Sequence, residues 1–162
     1  METRQDILRA TTEAIVNTRA ERRARAVEQI PLLERLHRDI AESLKSISLV
    51  DPVTSGPIVT AKWRREGYTE GLVLEALAGT YVVELLASHD FGDRLVLVLK
   101  TRGDDTLANV FEYDVFGGTP VRMIPPGVVE VALPTGGVAL LGHEELLERF
   151  LSAVAKREQL RG

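Results

Sequence analysis

Between residues 57 and 141 short apolar segments alternate with turn residues, and this punctuation limits the fold more than any other property of the chain. Residues 72–77, 81–86, 95–99, 107–113, 128–133 and 138–141 are rich in Val, Leu and aromatic side chains, and Gly, Pro, Asp or Thr bounds each of them. Such runs read as short antiparallel strands joined by tight turns, a β meander. Leu95-Val96-Leu97-Val98-Leu99 is apolar at every position, the pattern of a strand covered on both faces. Helices are expected to cover one face, and barrel closure, a sandwich layer or a partner subunit the other.

The flanks have a different period. Residues 3–29 contain neither Gly nor Pro and are dominated by Ala, Arg, Glu and Gln, a helical composition. Their apolar stripe is thin: Leu8, Thr12, Ile15 or Val16, Ala20, Ala24 and Val27. Pro31 lacks an N–H and its ring meets the carbonyl of Val27, so a break or kink near Ile30 is expected. Beyond it Leu33, Leu36, Ile40, Leu44 and Ile47 recur at helical spacing, with Glu34/Arg38 and Glu42/Lys45 on the wet side. At the other end Leu146, Leu147, Phe150, Leu151 and Val154 mark a C-terminal helix, its first turn acidic and its last basic, as the helix dipole favours.

The resulting expectation is an α+β chain with helices and strands segregated along the sequence. Residues 1–50 form a two-segment helical arm, 51–57 a linker with two prolines, and 58–162 a meander of about six to eight strands with a C-terminal helix packed on it. The segment 68–87 also fits a helical period through Leu74, Leu77, Tyr81 and Leu85. Gly79-Thr80, followed by Tyr81-Val82-Val83, favours instead a hairpin with a two-residue loop.

A length of 162 residues suits one domain with a sizeable core. The absence of Cys excludes disulfides, thiolate metal sites and a cysteine nucleophile. The charged start, residues 1–6, and the lack of a long apolar run imply a soluble, cytoplasmic protein with no membrane partner. Net charge is −4, and the excess of acid falls within residues 57–141, which argues against a protein built mainly to neutralise phosphates.

No common catalytic signature is present, so the chain reads as non-enzymatic, with no catalytic residue, cofactor or metal implied. His89, Asp90 and Asp93 make the most metal-like triplet, but in a loop they read more simply as a solvated turn. His143-Glu144-Glu145 reads as helix-start chemistry. Glu75, Glu84, Glu112 and Glu130 sit singly in the middle of expected strands. A two-residue loop at Gly79-Thr80 would set Glu75 opposite Glu84, a carboxylate pair needing a cation or one raised pKa. This pair is the basis of an alternative reading as a small enzyme.

Two basic clusters, Arg19/Arg22/Arg23/Arg25 and Lys62-Trp63-Arg64-Arg65, support a second alternative, a nucleic-acid-associated regulator. The leading expectation is a protein-interaction or assembly module acting through its helical arm and sheet face. Leu33, Leu36, Ile40, Leu44 and Ile47 are the expected partner-binding stripe. Its partner would be a copy of the chain or a larger protein. The competing outcome is an arm folded back to cover its own sheet.

Overall fold

A computed structural model describes residues 1–47, 49–89, 92, 95–101, 119–132 and 136–161. The chain is α+β: a long N-terminal helix, antiparallel strands and a C-terminal helix. Helix α1 spans Arg4–Lys45 and helix α2 spans His143–Arg161. Between them lie β1 (Val59–Glu66), β2 (Thr69–Ala76), β3 (Tyr81–Ser88), β4 (Leu95–Thr101), β5 (Thr119–Ile124), β6 (Val128–Ala132) and β7 (Val138–Leu141). Each strand pairs antiparallel with the next in chain order. The β4–β5 ladder is the shortest, running from Leu95↔Val121 to Leu97↔Thr119. The described pairings leave β1 and β7 at the two ends, so they show no closed barrel. The expected strand at 107–113, with Glu112, lies outside the described residues.

Of the break or kink expected near Ile30, the break does not occur, because Pro31 lies inside a continuous α1. Ala26, Gln29, Leu33, Leu36 and Ile40 are buried at spacings of three and four, a single stripe that runs through the proline. Losing one intrahelical hydrogen bond at Pro31 costs about 3 kcal/mol. Burying Leu33, Leu36 and Ile40 returns about 1.5–3 kcal/mol apiece, so packing outweighs the defect.

The same stripe ties α1 to the rest of the chain. Leu33, Leu36 and Ile40 join one core with Leu72, Leu74, Tyr81, Val83 and Leu85 of the sheet and with Leu146 and Phe150 of α2. The 51–57 segment holds a tight turn. Asp51 is buried, accepts hydrogen bonds from the Val53 amide and the Thr54 hydroxyl, and donates its own amide to the Gly56 carbonyl.

The segment 68–87 is strand, not helix, but its loop differs from the expectation. Ala76 pairs with Tyr81, leaving residues 77–80 as the loop. Leu77, Ala78 and Gly79 all have positive φ, at 53°, 57° and 81°. Leu77 packs on the core and its amide donates to the Ile58 carbonyl at 3.0 Å, one step past the Val59↔Ala76 pair of β1 and β2. Strand β5 includes a proline, Pro120, in register with Val96.

One contact joins α1 to the far side of the sheet. The Met123 amide donates to Gln29 Oε1 at 3.0 Å, and Gln29 is itself buried. Met123 stands two residues beyond Val121, where the β4 ladder stops. The glutamine side chain thus satisfies a buried donor that no ladder among the described residues reaches.

Candidate interaction surface

The functional surface expected from the sequence is largely inside the protein. Leu33, Leu36 and Ile40 have no exposure, Leu44 packs partly against the core, and only Ile47 of that stripe is exposed. Covering its own sheet consumed this face, because the inner positions of β2 and β3 offered an apolar surface directly beside it.

The outward surface is instead the N-terminal half of α1, where every residue from 1 to 25 is exposed. A capping box fixes its tip: the Asp6 amide donates to the Thr3 hydroxyl, and the Thr3 amide donates to the Asp6 carboxylate, both at 3.1 Å. These bonds, the one to the Thr3 backbone first, hold the Asp6 carboxyl below its ordinary pKa. Further along, Thr11, Thr12 and Thr18 donate their hydroxyls to the carbonyls four residues back, at 2.8–2.9 Å. That internal bonding occupies the polar atom of each threonine and leaves its methyl as the outward group. With 3.6 residues per turn, Ile7, Leu8, Thr11, Thr12, Ile15, Val16 and Thr18 share an arc of roughly 180°. Ile7, Leu8, Ile15 and Val16 are 51, 55, 56 and 59% exposed, a large apolar share for a lone helix.

Below this arc Arg19, Arg22, Arg23 and Arg25 remain on the exposed part of the helix. Arg19 and Arg23 border a groove with Ala24, Val27, Tyr68 and His89, in which the Tyr68 and His89 rings lie 6.2 Å apart. The second basic cluster is committed to carboxylates. Lys62 pairs with Glu75 at 3.1 Å, Arg64 with buried Glu84, and Arg65 with Glu70 at 3.2 Å, while Trp63 Nε1 donates to Glu70 at 3.2 Å. Trp63 also meets His37 edge-on at 5.8 Å. Lys62, Trp63, Arg64 and Arg65 therefore serve the sheet first.

The carboxylate pair does not form as expected. In the observed register Glu75 faces Val82 and Glu84 faces Val73. Each carboxylate has a β1 cation, and Arg64 reaches across β2 at Gly71, its register partner, where no side chain obstructs it. Glu130 similarly pairs with Arg122 at 3.1 Å.

Asp90 and Asp93 lie outside the described residues, whereas His89 is placed beside Tyr68. Glu145 accepts from the Gly142 amide at 2.9 Å, which gives the His143-Glu144-Glu145 segment its helix-start role. Among the described residues no three His, Asp or Glu are gathered as a metal site, and no helix is long and apolar enough to cross a membrane.

The signals that sequence reasoning missed were Thr11 and Thr18, polar by type and apolar once bonded internally. Compared with family models, with curated proteins and with solved structures, the chain shows no significant match to any of them.

Proposed function

We propose that this protein is an association module: a globular α+β head that holds out the first half of α1 for another protein to pack on. The observation that carries this reading is the exposed arc of Ile7, Leu8, Ile15 and Val16 on a helix whose other half is core. The β-branched Thr, Ile and Val side chains lower the intrinsic helix preference of this segment. A partner helix would remove the apolar arc from water and stabilise the segment at once.

Chemical cross-linking of the full chain in its native extract, read by mass spectrometry, tests the reading. Residues 1–25 should carry the intermolecular cross-links, and Leu8→Glu with Ile15→Glu should abolish them while the melting temperature holds. Cross-links confined to the sheet, or unaltered by the double substitution, would refute the proposal.

A further inference from the structure

We propose that the groove between the foot of the projecting helix and the end of the sheet is a binding site for a nucleoside monophosphate, with the phosphate on Arg19 and Arg23 and the nucleobase against Tyr68 and His89. The site is separate from the association surface, since it uses residues 19–24 and the head, below the apolar arc.

The fold brings these four side chains together. The last register pair of β2 and β3 is Thr69↔Ser88, and one step beyond it the His89 amide donates to the Tyr68 carbonyl at 3.4 Å. Gly67, with a φ of 60°, turns the chain from β1 into that step. Tyr68 and His89 therefore stand side by side at the end of the sheet, ring centroids 6.2 Å apart and planes tilted by 48°. The buried stripe of α1 begins at Ala26, so the turn just before it runs past this end of the sheet. Arg19 and Arg23 lie one turn apart there, about 6 Å along the axis, close enough to converge on one phosphate. Small Ala20 and Ala24 line the groove with them and leave it open.

Charge and size name the ligand. The described cations of the sheet are committed to carboxylates, Lys62 to Glu75, Arg64 to Glu84, Arg65 to Glu70 and Arg122 to Glu130. Among the described residues none pairs with Arg23, and no carboxylate is among the described residues that line the groove. An entering anion meets guanidinium groups, whose planar fork matches phosphate oxygens. The groove encloses about 760 Å³, inside the roughly 300–1,000 Å³ of small-molecule sites and far more than a lone phosphate fills. Tyr68 is 75% exposed, so its ring is open to an incoming planar group, and aromatic rings stack on nucleobases of any kind. The net charge of −4 argues against a long polyanion as the occupant.

The full chain is titrated with each of the four ribonucleoside 5′-monophosphates, with the corresponding nucleosides and with a ten-nucleotide single strand, at about 20 mM salt, where screening is weak. Binding is followed by NMR chemical shifts. At least one monophosphate should saturate below about 10 mM, with the largest shifts at Tyr68 and His89, and its nucleoside should bind at least tenfold more weakly. Arg23→Gln should weaken binding at least tenfold and Tyr68→Ala at least fivefold, with the melting temperature unchanged because both side chains are exposed. Arg25→Gln removes the same charge from the same helix outside the groove lining, and should change affinity less than twofold.

Failure of all four monophosphates to saturate would overturn the inference, as would a nucleoside that binds as well as its monophosphate. Equal losses from Arg23→Gln and Arg25→Gln would mean diffuse charge attraction and no site. A single strand that binds more than tenfold tighter than every monophosphate would make the groove part of a polymer track and overturn the assignment.

Discussion

Replacing Gln29 with Met removes the polar link between α1 and β5. The two side chains have similar length and helix propensity, so the substitution removes an acceptor without opening a large cavity. It leaves the buried Met123 amide, now 3.0 Å from Gln29 Oε1, with no partner. An unsatisfied buried donor costs about 1–3 kcal/mol. The more apolar replacement returns part of that, so a net loss of about 1–2 kcal/mol is expected. With a urea slope near 2 kcal/mol/M, the unfolding midpoint should fall by about 0.5–1 M. Circular dichroism at 222 nm measures the midpoint, and hydrogen exchange at the Met123 amide supplies a local readout, expected to accelerate at least tenfold. An unchanged midpoint together with unchanged exchange at Met123 would refute the claim that Gln29 caps β5.

Leu36→Ala removes a fully buried side chain from the face that α1 lays on the sheet; a loss of about 2–5 kcal/mol in urea unfolding is expected, and a negligible loss would return α1 to the status of a detached arm. Gly71→Ala should destabilise by about 1–3 kcal/mol, because a Cβ there would run into the Leu85 carbonyl oxygen and lie 2.9 Å from both the carbonyl carbon and the Leu86 Cα; wild-type thermal stability would contradict that packing. Acid should fray the tip of α1. The Asp6 pKa is lowered in the folded helix, so its contribution is fully present above the unfolded-chain value, near 4, and is lost as pH falls through the folded one. Amide exchange over residues 4–8 should rise below about pH 4, more than in Asp6→Asn, and equal behaviour of the two proteins would count against the capping box.

The α+β class was legible because each element carries its own period: the spacing of Leu33, Leu36 and Ile40 marks helix, and Tyr81-Val82-Val83 marks strand. The continuity of α1 was not. Ala26 and Gln29 extend the buried stripe upstream of Pro31, yet neither announces burial by its chemistry, so the proline dominated the local reading. Register failed for a similar reason. Gly79 signalled a turn, but the positive φ of Leu77 and Ala78, which widens the loop to residues 77–80, is a conformation that no local pattern reports. As for the candidate surface, exposure depends on what lies opposite. A strong Leu/Ile stripe is the one a protein covers first with its own sheet, and the thinner stripe is left outside. The pairing of Lys62 and Arg64 with Glu75 and Glu84 follows from strand neighbours that only the register supplies.

Helix α1 is made before every surface that shelters it. When Ile40 leaves the ribosome, the sheet strands that will cover Leu33 and Leu36 do not yet exist, and Met123, the donor for Gln29, lies roughly 80 residues downstream. At translation speeds of about 5–20 residues per second, that interval is roughly 4–16 s. During it the nascent chain presents a bare Leu/Ile stripe on a helix that Pro31 weakens at its middle. The packing that carries the helix through Pro31, with Leu33, Leu36 and Ile40 against the sheet, arrives only with those later strands.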